Sequence, residues 1–289
     1  MTEKHEIDHV TGYATTGHEW DGIRELNKPL PRWWLWVLWI CVVWAIGYWI
    51  AYPAWPTLAS YTQGMLGYSQ RQQVMADVAS GRAAQAEYVE KIKLAGLADI
   101  QKDPELLSFA IAGGRAAFGD NCAGCHGRGA QGAVGYPNLN DDDWIWGGTI
   151  DDIHHTIGVG IRATHAKTRA NQMPRYGLDQ IFEPAQINDA AEYVLSLSRQ
   201  PSDPAAADRG KVLFAEQCVA CHGDDAKGKL DQGGPNLTDG IWLYGGNKEA
   251  ILTSIRTGRG GVMPTWSGRL DPVTIKQLAV YVHSLGGGK

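Results

Sequence analysis

The chain has 289 residues with 26 Lys+Arg against 31 Asp+Glu, a formal net charge of −5. That balance excludes the polycationic character expected of a nucleic-acid binder, and the length suits about two ordinary domains plus an extra segment. Twelve Trp accompany only four Phe, and seven of the Trp fall between Trp33 and Trp55, so the unusual composition belongs to one stretch.

Residues 1–31 are polar, carry Gly12, Gly17, Gly22 and Pro29 and show no apolar periodicity. They read as a flexible or partner-docked cytoplasmic tail in which His5, His9 and His18 are solvated. Residues 32–56 read as a transmembrane anchor. The run 33–52 has no charged residue, and as a helix it would span about 30 Å, the hydrocarbon thickness of a bilayer. Arg32 precedes it, Pro53 and Pro56 follow, and Trp33, Trp34 and Trp55 stand where interfacial aromatics belong. The run ends in Tyr-Pro-Ala-Trp-Pro and not in a small-residue cleavage site, which argues against a removed signal peptide. Cys41, within the run, reads as a small hydrophobe. Arg24, Lys28 and Arg32 precede the anchor while only Arg71 lies as close after it, placing the N-terminus in the cytoplasm. Residues 57–104 form a connector, turn-like over Tyr61–Tyr68 and helical from Arg71 to about Leu97.

From about residue 105 one pattern is written twice. Cys122-Ala-Gly-Cys125-His126 recurs as Cys218-Val-Ala-Cys221-His222. Cys-x-x-Cys-His is the attachment sequence of c-type haem: two thiols one helical turn apart bond the porphyrin, and the adjacent imidazole becomes an axial iron ligand. A zinc site would need its two Cys pairs about 15–20 residues apart, far closer than Cys125 and Cys218. The flanks repeat as well. Gly114 and Phe118 match Gly210 and Phe214, Pro137-Asn-Leu matches Pro235-Asn-Leu, and Trp144-Ile-Trp-Gly-Gly148 matches Trp242-Leu-Tyr-Gly-Gly246. Each copy reaches a Met-Pro pair and closes with a helix opened by an acidic residue and Pro, at Glu183-Pro184 and Asp271-Pro272. These closing helices place Ile187, Ala190, Ala191, Val194 and Leu195 on one face, and Ile275, Leu278, Ala279 and Val282 on the other's. The glycine of each opening helix allows another helix to approach closely. The pattern predicts an all-α protein, one N-terminal transmembrane helix followed by cytochrome c domains at 105–200 and 201–289, joined by a linker over 199–204.

Two covalent haem c groups, on Cys122/Cys125 and Cys218/Cys221, are therefore expected, with His126 and His222 as axial metal ligands. Met173 and Met263 are the candidates for the remaining axial positions, since a thioether favours ferrous iron. His154, His155 and His165 compete with Met173, because the first copy carries about eight extra residues around Thr164–Asn171. Each Met is expected on the haem of its own copy, with an exchanged arrangement as the alternative. Haem attachment on the outer face of the bacterial cytoplasmic membrane agrees with the charge rule, so the haem domains are expected in the periplasm.

The order of tail, Trp-rich anchor, Gly64-x-x-Gly-Tyr-Ser69 connector and two haem units, including Asp142-Asp-Trp-Ile-Trp-Gly-Gly148, resembles the dihaem subunit III of cbb3-type cytochrome c oxidases over nearly the whole chain. The resemblance implies that Cys122, Cys125, His126 and Met173 hold one haem and Cys218, Cys221, His222 and Met263 the other. It implies an electron relay with no catalytic residues of its own, from a donor cytochrome c through a monohaem cytochrome c subunit to the haem–copper catalytic subunit that reduces oxygen and pumps protons. The partners are then those subunits, the donor and membrane lipid. A membrane-anchored dihaem cytochrome c serving a periplasmic dehydrogenase or other reductase would share every ligand. A peroxidase would need an open iron position, against which two Met-Pro pairs argue.

Overall fold

The computed structural model describes residues 6–198 and 201–286; His5 and the first two residues of the expected linker lie outside them. The chain forms two units, one ending at Ala83 and one beginning at Ala84.

In the first unit the polar tail is not irregular. Strands β1 (Thr15–Trp20) and β2 (Ile23–Leu26) pair antiparallel, with Trp20 opposite Ile23. Asp21 and Gly22 take φ of 50° and 83°, the left-handed pair of a two-residue hairpin turn. Arg24 donates from Nε to Glu19 at 3.0 Å and also pairs with Glu6. The Asp-Gly dipeptide was the signal for this hairpin; the largely polar strands around it hid the alternation. Helix α1 (Arg32–Ala51) is apolar all round, has no buried residue and is long and apolar enough to cross a membrane. The Tyr61–Tyr68 turn finishes it. The N–H groups of Met65 and Leu66 donate to Ile50 O and Ala51 O at 2.8 and 3.1 Å. Gly64 is required there, because its φ is +70° and a Cβ would lie 2.5 Å from Ala51 O. Helix α2 (Gln70–Leu94) follows.

The second unit contains α3 (Leu97–Lys102), α4 (Pro104–Asn121), α5 (Ala123–His126), α6 (Ile150–Val159), α7 (Pro184–Ser198), α8 (Pro204–Gln217), α9 (Val219–His222), α10 (Lys248–Thr257) and α11 (Pro272–Ser284). Three of these open on Asp-Pro. Asp103 accepts from the N–H groups of Glu105 and Leu106, Asp203 from that of Ala206, and Asp271 from those of Val273 and Thr274. Each cap satisfies N–H groups the helix leaves free, while Pro has no N–H to satisfy.

The two cores do not follow the two sequence repeats. The first joins Leu106, Ala110 and Phe118 of α4 and Ile153 and Ile157 of α6 to Ile275, Leu278 and Val282 of α11, with the fully buried Ile92 of α2 and Ile100 of α3. The second joins Ile187, Ala191 and Leu195 of α7 to Phe214 of α8 and Ile251 and Ile255 of α10. Each closing helix thus packs on the opening helix of the other copy. All nine residues expected on the buried faces of α7 and α11 are buried, against partners the sequence did not name. A short connection, residues 199–203, joins α7 to α8, and helices so joined pack as antiparallel neighbours. With α7 committed to α8, α11 takes the vacant face of α4.

Both crossings are closed by glycine. A Cβ at Gly114 would sit 2.1 Å from Gln277 O, and one at Gly210 would sit 1.9 Å from Asp189 O. Ionic contacts brace the α7–α8 pair. Asp189 receives both Nε and Nη2 of Arg209 at 2.8 and 2.7 Å. Glu192, fully buried, accepts from Ser202 N and Asp203 N at 2.7 and 3.1 Å and from the Ser202 hydroxyl, and meets Lys248 Nζ at 2.5 Å. Burial opposes ionisation of Glu192, but the Lys248 ammonium, the Ser202 hydroxyl and the two backbone N–H groups outweigh it and hold the carboxyl down at about 2.

Gly210→Ala is expected to destabilise the second unit by roughly 1–3 kcal/mol in denaturant unfolding, because the obstructing atom is backbone and the helices must separate. A lowered folded-state pKa contributes stability above the unfolded value and loses it as pH falls through the folded value. The Glu192 contribution should therefore be complete above pH 4.5 and decline toward about 2. Glu192→Gln should lose about 2 kcal/mol at pH 7 and flatten the pH dependence of unfolding in that window; an unchanged profile would show that the charge is not what holds the linker.

Candidate cofactor site

Each Cys-x-x-Cys-His stretch forms a single helical turn at the end of an opening helix. The N–H groups of Cys125 and His126 donate to Cys122 O at 3.1 and 3.0 Å, and those of Cys221 and His222 to Cys218 O at 3.1 and 2.9 Å. No disulfide joins any of the four sulfurs, and burial pushes the Cys122 and Cys218 thiols up to about 11. His126 Nδ1 lies 3.1 Å from Pro137 O and His222 Nδ1 2.9 Å from Pro235 O. An Nδ1–H donated to a carbonyl fixes the tautomer and leaves Nε2 as the ligand atom. Burial lowers the pKa of both imidazoles, against the smaller effect of those carbonyls. The accepting carbonyls come from the repeated Pro-Asn-Leu. It was visible as a repeat, but its role was not, because the acceptor is backbone.

A cavity of about 860 Å³ is lined by both turns and by both Met173 and Met263. Met263 and Cys122 both pack against the first core, and Met173 and Cys218 both pack against the second. Each Met, expected on the haem of its own copy, thus packs against the core beside the other copy's turn. The crossing begins at the methionines. Ile161 exchanges both backbone hydrogen bonds with Met263 at 2.9 and 3.0 Å, and Met173 N donates to Arg259 O at 3.0 Å. Beyond each Met the chain keeps to the other copy. Thr265 Oγ1 donates to Gly158 O at 2.6 Å, and Tyr176 Oη to Gln217 O at 2.9 Å, next to Cys218. The aromatic neighbours of the two histidines are exchanged too. Phe118 stands between His126 and Tyr281, and Phe214 between His222 and Tyr193.

His154, His155 and His165, the competitors of Met173, do not line the cavity, whereas Ile153, Thr156 and Ile157 of the same helix do. His165 Nδ1 instead accepts the Lys167 N–H at 3.0 Å. The eight extra residues fold back on their own start. Arg162 N donates to Arg169 O and Arg169 N to Gly160 O, at 2.8 and 3.2 Å, so the inserted loop carries no ligand into the cavity.

Trp242 tests whether the cavity fits a haem. Its indole Nε1 is buried, lines the cavity and has no partner; it is one of two such buried side-chain atoms among the described residues. A buried donor without an acceptor is costly, and the carboxylate edge of a haem would satisfy it. With two thiols and one tautomer-fixed imidazole in each turn and a thioether facing each core, the donor set fits two haem c groups. Two other features escaped the sequence. Arg169 lies over the Trp146 ring at 5.2 Å and Arg259 over the Tyr244 ring at 4.1 Å, equivalent pairs offset by the insertion. Asp143, in the cavity wall, is raised to about 6 by burial and by Asp239 and Asp141.

Comparison with known proteins gives matches along most of the chain. The family model for the N-terminal domain of cytochrome oxidase-cbb3, FixP, matches residues 12–59. The cytochrome c model matches 111–198, and that for cytochrome c oxidase, cbb3-type, subunit III matches 205–282. A cbb3-type cytochrome c oxidase subunit FixP of Bradyrhizobium sp. (strain ORS 278) is 55% identical over 293 aligned positions, covering 100% of each chain. A cbb3-type cytochrome c oxidase subunit CcoP of Azospirillum brasilense is 52% identical over 296, again covering 100% of each.

Proposed function

The chain belongs to the family of cbb3-type cytochrome c oxidase subunit FixP/CcoP, and from that premise we propose that it binds two haem c groups in an exchanged His/Met arrangement and relays electrons between a donor cytochrome c and the oxygen-reducing subunit. As a cytochrome c electron-transfer subunit of the oxidase it carries covalent haem c. The observation that carries the finer reading is the crossed packing of Met263 with the Cys122 core and of Met173 with the Cys218 core.

In this reading Cys122 and Cys125 would attach the first haem, and His126 and Met263 would hold its iron. Cys218 and Cys221 would attach the second, with His222 and Met173. Haem so ligated supplies one-electron redox chemistry at a potential above that of a bis-imidazole site. The protein orients each imidazole through Pro137 O or Pro235 O, brings the thioether on a Met-Pro loop and keeps water out with the two apolar cores. With an imidazole and a thioether held for each haem, no iron position would be left to a substrate, which suits a relay and not a peroxidase. Both sites line one cavity, so electrons would pass between the haems inside one packed unit. The immediate partners would be the haem–copper catalytic subunit, a monohaem cytochrome c subunit and the donor. The α1 helix would span the cytoplasmic membrane with the hairpin tail inside and the haem unit in the periplasm, as the charge asymmetry around it requires.

In the full chain, Met263→His is expected to alter the low-temperature spectrum of the haem on Cys122/Cys125, and Met173→His that of the haem on Cys218/Cys221. Variants lacking one Cys pair identify each signal, and the opposite assignment would restore ligation within each repeat. A gently solubilised complex purified through a tag on this chain is expected to contain the haem–copper subunit and to reduce oxygen with reduced cytochrome c. Recovery with a dehydrogenase and without oxygen reduction would overturn the relay partner.

A further inference from the structure

The two methionine loops meet at a single side chain. Arg162 directly follows Ile161, the residue paired with Met263 through both backbone hydrogen bonds. Its Nε donates to Gly261 O at 2.6 Å and its Nη1 donates to Asn171 O. Gly261 stands two residues before Met263 and Asn171 two residues before Met173. One guanidinium therefore binds the same carbonyl position in both loops. A planar fork of donors is the group suited to spanning two acceptors at once.

The repeat itself does not supply this residue. Gly160 and Gly258 end α6 and α10 in equivalent ways, with φ of 71° and 69°, and Arg169 matches Arg259 four residues before its Met, so Arg162 falls among the extra residues and has no counterpart in the second copy. The eight-residue insertion makes the difference. Besides its backbone bonds with Gly160 and Arg162, it brings Thr168 Oγ1 to Gly160 O at 3.1 Å and to Ala163 N at 3.0 Å. These contacts hold Arg162 at φ 50°, a left-handed conformation that a long side chain takes at some cost. The backbone is over-determined at the point where the side chain must reach across the crossing. The two neighbouring arginines serve one copy each: Arg169 donates to Thr156 Oγ1 and Arg259 to Ser254 Oγ, both at 2.9 Å.

We propose that Arg162 is a shared positioning residue for both axial methionines: by tying Asn171 O and Gly261 O to one guanidinium it couples the two loops, so that the hold on one iron depends on the other loop as well as its own. The proposal rests on the His/Met reading above. The asymmetry of the insertion then has a use, since it places one clamp at a crossing that two equivalent clamps could not share.

The test uses the full-length holoprotein with Arg162→Gln, Arg162→Lys and the control Arg175→Gln. Arg175 stands two residues past Met173, but its guanidinium is engaged with Asp179 at 2.6 Å and not with a methionine loop. The readouts are the ferric iron–methionine charge-transfer band of each haem, by magnetic circular dichroism, and the rate at which cyanide displaces the methionine. Arg162→Gln is expected to weaken the band and raise the cyanide rate about tenfold or more at both haems, as loss of two charge-assisted hydrogen bonds should. Arg162→Lys, with one compact ammonium, should give a smaller change at both, and it decides the question if Arg162→Gln does not accumulate. Arg175→Gln should change neither. A change confined to one haem, or to none, overturns the shared clamp. Absence of the iron–methionine band in the unaltered protein overturns the ligand reading instead, and the proposal with it.

Discussion

The fold of the haem unit depends on two places where helices touch at backbone distance. At Gly114 and Gly210 a missing Cβ lets α4 and α8 meet α11 and α7 with carbonyl oxygens where a side chain would stand. Such contacts admit one partner helix in one register, because ridges cannot slide past an obstructing backbone. Once α7 is pinned to α8, bridged by Asp189–Arg209 and by the buried Glu192 cluster, the closing helix of the first copy is no longer available to its own opening helix. The last third of each copy is therefore spent on the other. The methionines, which stand at the start of that third, are carried across with it.

This arrangement changes what the duplication means. Two tandem copies that each closed on themselves would be independent beads, free to move on a linker. Exchanged copies share every core, so the spacing of the two attachment turns is held by the same packing that holds each turn. For an electron carrier with a haem on each turn that would be a functional gain: transfer between two centres depends on their separation, which here would not rely on a flexible joint. The insertion in the first copy fits the same logic. It departs from the repeat not to bring a new ligand but to fold back, fixing Arg162 where the two loops cross.

Much of the site was legible in the residues. Cys-x-x-Cys-His names its cofactor because attachment chemistry demands those types at that spacing, and the anchor is visible because twenty uncharged residues match a bilayer. The apolar faces of α7 and α11 were visible because a 3.6-residue period survives whatever the helix packs against. The tail hairpin was missed because its strands are polar and only Asp21-Gly22 marks the turn. Pro137 O, Pro235 O and the two carbonyls held by Arg162 were out of reach because backbone acceptors leave no residue-type signature.

The sequence by itself determined that two cytochrome c domains of one pattern follow one helix long and apolar enough to cross a membrane, that each carries a Met-Pro pair and closes on an amphipathic helix, and that glycines would bring helices into contact. Only the tertiary structure decided which helix answers each glycine, and so which core each methionine loop packs against. The reason is that an amphipathic face specifies burial and not identity. The two closing helices present equivalent apolar stripes and equivalent tyrosines, Tyr193 and Tyr281, so either could cover either core. The choice falls to the short 199–203 connection, the ionic contacts around it and the packing they force on the rest.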